Sequence, residues 1–425
     1  MLNKKILLIF LVAFLIRLIA LNQSLWLDEA VTANVVENYK ITQIVSKFSP
    51  SDFHPPLYYL FMKLWTNFFG YSEIALRMPS ILFSLLTGYV IYLIGGVWAA
   101  AFFLFNPLIV YYSQEARMYM MTTFFLTAAL YYFLKNRNII FFNLFIFLSL
   151  LTFYGSIFLI AAMFIYLLFK KQYKNFFVFC SFFLVSFALI SPLLYQQFLH
   201  SRITLNTVTN WSLVLGKANI KNLLLIPIKF SVGRISFYPK WLYWGTAGIW
   251  TGFVWFFVFH GGLKKQSIMI IMIITIITAF VFSFFTPLLQ YFRFIYLIPL
   301  MSLLLSRSNL RGWILATGFL IFSLVYLLNP AFHREDWKSL VKSLPKGKPV
   351  YMIMTSSDPV KYYNNKLIIK ELRITDYELK EKKIVVIPFS AGVYGLDYKS
   401  LLSKRGYQLK KEVSFREVIY EQWSK

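Results

Sequence analysis

Two kinds of residue are scarce in this 425-residue chain: acidic residues and cysteine. Only 17 Asp and Glu stand against 43 Lys and Arg, which gives a formal net charge of +26. The one cysteine, Cys180, lies in an apolar run, so a disulfide framework and a cysteine-based metal site are excluded. The basic excess would suit nucleic acid, but no basic-aromatic module of the usual kinds is present. We therefore expect no nucleic-acid partner, and we expect the cations in cytoplasmic loops beside anionic lipid.

Apolar residues dominate the composition. The chain is 59% hydrophobic, 20% aromatic and only 14% charged, with a mean hydropathy of +0.62. A soluble protein could not bury so much apolar surface, so we expect an α-helical polytopic membrane protein. Eleven apolar segments are candidate spans: 6–21, 74–94, 97–111, 118–134, 139–153, 155–169, 176–195, 241–260, 267–286, 290–305 and 313–328. The first has a basic start and no small-residue cleavage site after it, which predicts an uncleaved span.

The segment 54–70 is also apolar, but we do not count it among the spans. It begins close to a Pro-Pro pair and contains Lys63 and several aromatic residues. These features are typical of a helix that lies in the membrane interface.

The charged residues predict which side of the membrane each loop occupies. With a cytoplasmic N-terminus, short basic clusters fall on alternate inner loops, as the positive-inside rule requires. They are Lys4/Lys5, Lys135/Arg137, Lys170/Lys171/Lys174, Lys264/Lys265 and Arg307/Arg311. All the acids of residues 1–330 then fall on the outer side: Asp28, Glu29, Glu37, Asp52, Glu73 and Glu115. Acids confined to one face of a membrane domain indicate a site on that face.

The composition changes after Pro330. Residues 331–425 are rich in charge and hold eleven of the 17 acids. Two apolar runs predict buried strands and two further stretches predict helices; in chain order these elements lie at 336–344, 349–356, 383–390 and 397–405.

We therefore expect two domains. The first, residues 1–330, is a transmembrane catalytic domain with outer-face loops at 22–73 and 196–240. The second, residues 331–425, is a small α/β domain, which an odd number of spans places outside the cell. We find no internal repeat and no low-complexity tract.

The first acids of the chain, Asp28 and Glu29, follow the first span within "SLWLDEA". They have two interpretations, which the residues alone support equally: a hydrated loop or helix N-terminus, where the dipole favours carboxylates, or a catalytic site. Asp52 and His54 precede the Pro-Pro pair in "SDFHPPLYY", and a single histidine is more often structural than functional.

Arginines near the ends of spans give a more specific signal. Arg117, beside Glu115 in "YYSQEARMYM", lies between two spans joined by almost no loop, and Arg293 opens a late span with no acid nearby in sequence. An unpaired cation at this depth is costly, so each must be paired or bind an anion. Cations at the outer ends of spans suit a phosphate at headgroup level. Arg17, inside the first span, is expected to snorkel or to pair within the bundle.

Together these residues predict an outer-face site with several carboxylates, one histidine and two arginines. Such a set fits general-base catalysis on a hydroxyl, combined with binding of a lipid phosphate as leaving group. The carboxylate takes the proton, and the cations stabilise the charge that develops on the phosphate.

Several short motifs, in this order and spacing, carry a resemblance to one enzyme family. They are "SLWLDEA", "DFHPPLYYL", "EIALRMPSILFSLLTGYVIYLIG", "YYSQEARMYMM", "YFRFIYLIPL" and "REDWKSLVKSLPKGKPVYMIM". The chain resembles the bacterial protein-mannosyltransferase-like and aminoarabinose-transferase-like branch of the GT-C membrane glycosyltransferases. The resemblance spans most of the chain, although residues 196–285 carry little of it.

The resemblance implies a GT-C fold and transfer of a sugar from a polyprenyl-phosphate donor to a hydroxyl of a protein, lipid or glycan on the outer face. It implies that Asp28 is the general base, supported by Glu29. It further implies that His54, Arg117 and Arg293 bind the donor phosphate.

The same resemblance implies that Asp52, Glu115 and Tyr119 line the substrate cavity. Relatives that transfer aminoarabinose to lipid A have a Glu-Lys pair where this chain has Phe53-His54, so His54 is a candidate for either phosphate or metal binding. The candidate cofactor is a divalent metal ion held by Asp28 and His54. The expected partners are the lipid-linked donor, membrane lipids and a hydroxyl acceptor, and we expect a monomer.

The main rival is a lipid or sugar transporter or flippase of similar topology. Transporters tend to place ionisable groups near the membrane midplane and often contain internal repeats. Here the acids collect on one face and no repeat is found, which favours the enzyme. A catalytically inactive binding or sensor protein is disfavoured because the acidic, histidine and arginine motifs occur together.

Overall fold

The computed structural model describes residues 4–135, 138–308, 312–373, 379 and 381–425. Two cations of the predicted inner loops, Arg137 and Arg311, lie outside these ranges. The α-helices are α1 Lys4–Leu18, α2 Leu27–Asn38, α3 Ile41–Gln43, α4 Leu57–Phe69, α5 Glu73–Leu104, α6 Pro107–Ser113, α7 Tyr119–Lys135, α8 Ile139–Thr152, α9 Ile157–Phe169, α10 Tyr173–Thr207, α11 Trp211–Leu215, α12 Ile220–Val232, α13 Lys240–Lys264, α14 Gln266–Phe282, α15 Ile298–Leu305, α16 Gly312–Leu328, α17 Trp337–Ser343, α18 Asp358–Tyr363 and α19 Tyr398–Lys404. Short helical segments of other types lie at Ile44–Phe48, Ser49–Ser51, Tyr154–Ser156, Tyr291–Leu297, Pro330–Phe332 and Met354–Ser356.

Many of these helices are apolar along their length, as a membrane domain requires. Within the described ranges, three are long and apolar enough to cross a bilayer by themselves: α5, α10 and α13. Shorter apolar helical segments lie at Ile139–Thr152, Tyr154–Phe169, Gln266–Phe282, Tyr291–Leu305 and Gly312–Leu328. The expected helical membrane protein is confirmed, and the count of eleven spans stays a prediction.

One kinked helix covers most of two predicted spans. Helix α5 continues across the expected boundary between 74–94 and 97–111 and bends at Gly96, which has a φ of +80°. Glycine adopts this conformation at little cost, so Gly96 permits the bend. Asn106 then caps α6, since its side chain accepts hydrogen bonds from two N–H groups of the first turn at 3.0 and 3.2 Å.

Arg17 lies in α1 and is fully buried. Its Nε donates to Ser84 Oγ at 3.1 Å, and its two Nη atoms donate to the carbonyl oxygens of Ala13 and Leu104 at 2.7 and 2.9 Å. A hydroxyl and two backbone dipoles thus satisfy the cation within the bundle. Arg17 is therefore held within the bundle by hydrogen bonds to neutral groups, and it forms no ion pair among the described residues.

The outer segment 196–240 is more helical than expected. Helix α10 continues to Thr207 instead of ending near residue 195, and α11 and α12 follow. Gln197, on this extension, donates its Nε2 to the backbone oxygens of Ser49 and His54 at 2.7 and 2.9 Å. The extension therefore fixes the loop that carries His54.

Helix α4 occupies most of the segment expected to lie in the interface. It buries Tyr59 and Met62 and leaves Leu64 and Phe68 exposed. An amphipathic helix with an exposed apolar side suits contact with lipid.

The C-terminal region forms a small mixed sheet. Its strands are β1 Val350–Met352, β2 Ile369–Glu371, β3 Lys383–Ile387, β4 Gln408–Phe415 and β5 Val418–Ser424. Their spatial order is β2-β1-β3-β5-β4; β1 is parallel to β2 and β3, and β5 is antiparallel to β3 and β4. Alternate residues of β3 enter two separate apolar clusters, so both of its faces are covered. The small α/β domain is confirmed, and α17, β1, β3 and α19 each lie within a predicted element. The domain boundary at residue 330 stays a prediction.

This domain contacts the loop after α1 and helix α2. The Tyr363 hydroxyl accepts the backbone N–H of Leu25 at 2.8 Å. Asn34 Nδ2 donates to Asp358 Oδ1, also at 2.8 Å. These bonds hold α2 near both of its ends, and α2 carries the first candidate site residues.

Candidate active site

Asp28 and Glu29 lie in the first turn of α2, where the helix dipole favours carboxylates. Trp26 is the N-cap, and its backbone N–H donates to Glu29 Oε2 at 3.4 Å. Consecutive side chains on a helix point about 100° apart. The two neighbouring acids therefore face different surroundings: the Asp28 side chain is 37% exposed and the Glu29 side chain 0%.

Glu29 is enclosed in a bidentate ion pair with Arg77 of α5. Arg77 Nε and Nη2 donate to its two carboxylate oxygens at 2.8 and 2.6 Å, and the Ala116 N–H donates to Oε1 at 2.7 Å. Arg77 Nη1 donates to the backbone oxygens of Leu21 and Gln23 at 2.8 and 2.7 Å. This pairing ties the first loop to α5 and to the turn before α7, so Glu29 has the surroundings of a positioning residue.

Asp28 has a much looser cation partner, Arg117. The Nη2 atom of Arg117 lies 3.6 Å from Asp28 Oδ2, and Nη1 lies 3.4 Å from the Tyr59 hydroxyl. Both distances exceed the roughly 2.7–2.9 Å of a strong charge-assisted bond. Arg117 is buried, and its Nε has no hydrogen-bond partner among the described residues. A carboxylate that is part exposed and weakly paired is free to accept a proton.

Arg293 supplies a second cation near Asp28, and this side chain is half-buried. It lies at the start of the segment that leads into α15, close enough to Tyr119 and Asp28 to interact with them electrostatically. Its Nη1 is buried without a partner among the described residues, as is the Thr122 hydroxyl. Arg293, Thr122 and Tyr119 line one narrow cleft with Phe292. The cleft thus contains hydrogen-bonding groups that have no partner among the residues that the structure describes.

Asp52 and His54 lie together in the loop before α4. Their Oδ1 and Nδ1 atoms are 3.6 Å apart, and His54 stacks on Phe153 with ring centres 6.4 Å apart. Burial alone would raise the pKa of Asp52, but the neighbouring His54 and Arg117 hold it below its ordinary value. Asp52 Oδ2 and His54 Nδ1 are both buried and have no hydrogen-bond partner within the described ranges.

A metal ion would have few ligands here. Over the part of the chain that the structure describes, no group of three or more His, Cys, Asp and Glu could hold one. Of the two predicted ligands, Asp28 faces Arg117 and His54 faces Asp52. The unpaired Asp52 Oδ2 and His54 Nδ1 are suitable donor atoms, so the metal ion stays a prediction.

Glu115 connects the site to the C-terminal region. Arg334, in the segment before α17, directs Nε and Nη2 at Glu115 Oε1, each at 3.1 Å. The other oxygen, Oε2, is buried and has no partner among the residues described. The guanidinium of Arg334 also lies over the Trp26 ring, 3.7 Å from the ring centre. Trp26 precedes Asp28 by two residues.

Direct bonds or electrostatic interactions connect the predicted site residues into one cluster, which comprises Asp28, Glu29, Asp52, His54, Glu115, Arg117, Tyr119 and Arg293. Sequence reasoning did not single out Arg77, Tyr59 or Arg334. Arg77 lies within an apolar span, so the argument applied to Arg117 would have found it. No comparable sequence signal connects Arg334 with Glu115.

Comparison with known proteins gives a fold. No family model matches the sequence, and no curated protein matches it. ArnT from Cupriavidus metallidurans in the apo state superposes with a TM-score of 0.58 at 11% identity, and ArnT bound to undecaprenyl phosphate with 0.59 at 12% identity. Each match covers 98% of this chain and 97% of ArnT. The chain has an ArnT-like fold.

The ArnT likeness confirms the aminoarabinose-transferase-like GT-C fold that the motifs predicted. It includes the C-terminal region, since the match extends over nearly the whole of both chains. Because the identity to ArnT is 11 to 12%, the likeness concerns the course of the chain. The roles of individual side chains rest on the geometry of this site.

Proposed function

We propose that this chain is a glycosyltransferase that uses a polyprenyl-phosphate-linked sugar and acts on the outer face of the cell membrane. The acceptor is a hydroxyl of a protein, lipid or glycan. One observation carries the proposal: the part-exposed Asp28 carboxylate lies near two arginines, the buried Arg117 and the half-buried Arg293, each with a buried guanidinium nitrogen unpaired among the described residues. The likeness to ArnT, of which one structure is bound to undecaprenyl phosphate, supports it.

In this mechanism Asp28 is the general base. One of its carboxylate oxygens takes the proton of the acceptor hydroxyl as the hydroxyl oxygen attacks the anomeric carbon of the donor. The bond between that carbon and the phosphate oxygen breaks, and the phosphate leaves with the electron pair. A transferred sugar and a polyprenyl phosphate result.

Arg117 and Arg293 stabilise the departing phosphate. Their unpaired nitrogens donate to its oxygens as the charge develops, and few other groups compete for these nitrogens in a buried site. His54 contributes a further contact. Asp52, Glu115 and Tyr119 line the same substrate cavity, and Glu29 keeps α2 in position through Arg77.

A divalent cation would be held by Asp28 and His54, the two predicted ligands, and would supply electrostatic stabilisation of the phosphate. The unpaired His54 Nδ1 is a suitable donor atom, and among the described residues no group of three such ligands is present. Orientation follows from the same scheme: the N-terminus is cytoplasmic, and residues 331–425 lie outside the cell beside the site.

The lipid that copurifies with the protein tests this proposal. Mass spectrometry of lipid extracts should find a polyprenyl phosphate, with or without its sugar, in the parent protein. The signal should fall strongly in Arg293→Gln and persist in Arg307→Gln, which removes an arginine predicted to lie on the inner side. Equal amounts of polyprenyl phosphate in all three preparations would contradict the assigned phosphate site.

A transfer assay separates the enzyme from the rival transporter. Reconstituted vesicles receive the copurified lipid-linked sugar in radiolabelled form, together with a cell-envelope extract as acceptor. An enzyme gives a covalent product that carries the label. Movement of intact labelled lipid between leaflets, without any product, would favour the transporter.

A further inference from the structure

A second pair of arginines surrounds Tyr111, beside the proposed active site. Arg234, between α12 and α13, donates Nη1 to the Tyr111 hydroxyl, and its guanidinium lies 4.9 Å from the ring centre. Arg334 lies 5.6 Å from the same ring centre and 3.7 Å from that of Trp26. Aromatic rings therefore hold both cations in one place without neutralising them.

Carboxylates do not fully balance this pair. Glu115 pairs with Arg334 at 3.1 Å, whereas Arg234 forms no ion pair with any carboxylate among the described residues. The sequence contains no Asp or Glu between residues 116 and 334, so neither α12 nor α13 can supply one. Glu335 interacts with both arginines electrostatically and forms no ion pair with them within the described ranges. Two like charges held together in this way favour a bound anion.

Both arginines keep nitrogens available. Within the described part of the chain, Arg234 hydrogen-bonds only to Tyr111, which leaves Nε and Nη2. Arg334 directs Nε and Nη2 at Glu115, which leaves Nη1. These nitrogens suit the oxygens of a tetrahedral oxyanion. Nearby, Trp26 Nε1 and Glu115 Oε2 are buried without partners among the residues described, so the region also offers a donor and an acceptor to a hydroxyl.

The position of the pair relates it to Asp28. Trp26, under Arg334, is the N-cap of the helix whose first turn holds Asp28. Arg293, the second cation of the donor phosphate site, comes from another segment and interacts electrostatically with Tyr119 and Asp28. The active site thus has two pairs of arginines, and a donor with one phosphate accounts for only one of them.

We propose that Arg234 and Arg334 bind an anionic group of the acceptor, a phosphate or a similar oxyanion, and thereby direct the acceptor hydroxyl to Asp28. This inference rests on the proposed function, because it names the acceptor of that reaction by class. The acceptor is a hydroxyl compound that carries a phosphate, either a lipid headgroup or a soluble phosphate-bearing glycan. An uncharged protein hydroxyl would leave this pair unused.

Binding of inorganic phosphate tests the proposal without an activity assay. Full-length protein in maltoside micelles is first saturated with undecaprenyl phosphate, and the broadening of the ³¹P signal of added inorganic phosphate is then measured. The parent protein should still bind phosphate. Arg234→Gln should weaken this binding roughly ten- to a hundredfold, as expected for losing charge-assisted hydrogen bonds, with Arg234→Lys in between.

Two controls make the result specific. Lys221→Gln removes an exposed cation of α12 and should bind inorganic phosphate like the parent protein. Arg293→Gln should bind undecaprenyl phosphate more weakly but keep its binding of inorganic phosphate. The proposal is overturned if Arg234→Gln, still folded by its melting temperature, binds inorganic phosphate as tightly as the parent protein. It is equally overturned if undecaprenyl phosphate displaces inorganic phosphate completely, since there would then be one site.

Further measurements distinguish a lipid headgroup from a soluble phosphate compound. They also distinguish a failure of this proposal from a failure of the proposed function. Phosphatidylglycerol that competes with inorganic phosphate, where phosphatidylcholine does not, identifies a lipid headgroup; no competition by either identifies a soluble acceptor. Failure of the parent protein to bind undecaprenyl phosphate, with phosphate binding still dependent on Arg234, would contradict the proposed donor and leave the second anion site standing.

Discussion

Asp28 and Glu29 are neighbours in the chain and carry the same functional group, yet their surroundings differ in almost every respect. Glu29 is 0% exposed and pairs with Arg77 at 2.6 Å, whereas Asp28 is 37% exposed and lies 3.6 Å from Arg117. One carboxylate has all its bonding capacity in use. The other keeps most of it available, beside a cation whose Nε is unpaired among the described residues.

The comparison shows how one helical turn separates two tasks. A saturated buried ion pair costs much to break, so it can hold the loop in place. A weakly paired carboxylate can change its protonation state without loss of the fold, which a general base must do. The direction of each side chain from the helix axis decides which acid has which surroundings. Four substitutions test this division.

The largest effect should come from Asp28→Asn. We expect transfer to fall by roughly 10² to 10⁴-fold, the usual contribution of a general base, with the melting temperature unchanged. The assay is transfer of radiolabel from the lipid-linked sugar. Glu37→Gln, at an exposed position of the same helix, is the matched control and should keep the parent rate. Transfer by Asp28→Asn at the parent rate would assign the base elsewhere.

Glu29→Gln should show the opposite pattern. Removing one partner of a buried ion pair leaves Arg77 uncompensated, so the free energy of unfolding should fall by about 3–5 kcal/mol. Thermal unfolding in detergent measures this. The double variant Glu29→Met with Arg77→Met should recover part of the loss, because it removes both charges. A stable Glu29→Gln protein without transfer activity would instead place Glu29 in the chemistry.

Arg293→Gln extends the comparison to the cations. Arg77 has full partners and Arg293 has an unpaired Nη1 within the described residues, so only the second should be dispensable for folding. We expect undecaprenyl phosphate to bind about 10- to 100-fold more weakly, as expected for losing a charge-assisted hydrogen bond worth roughly 1.5–3 kcal/mol. The melting temperature without lipid should not fall. A large fall would indicate a structural role.

The smallest effect should come from Lys338→Gln. Lys338 pairs with Glu73 at 2.9 Å, almost as close as the Glu29–Arg77 pair, but its side chain is 52% exposed. Solvent screens such a pair, so the loss should stay below about 1 kcal/mol. Thermal unfolding of Lys338→Gln and of Glu29→Gln, measured together, would then show whether burial or distance sets the stability that an ion pair contributes. A loss as large as that of Glu29→Gln would mean that burial does not set the difference.

Local sequence was sufficient for most of the apolar helices and for two of the five described strands, β1 and β3. It did not predict β2, β4 or β5. Apolar runs predicted the membrane helices, and the scarcity of acids drew attention to Asp28, Glu29, Asp52 and Glu115. Two features were not predicted: α5 continues through Gly96 as one kinked helix, and α10 extends to Thr207. At Gly96 a bend is compatible with one helix, and the α10 extension is stabilised by contacts of Gln197 with a distant loop.

The sequence by itself determined that this is a helical membrane protein with a small α/β domain, because bilayer thickness and the alternation of buried residues act on consecutive positions. Only the tertiary structure decided which carboxylate is held and which is free. The partners come from far along the chain: 48 residues separate Glu29 from Arg77, 89 separate Asp28 from Arg117, and 219 separate Glu115 from Arg334. Pairing over such separations depends on how the helices pack.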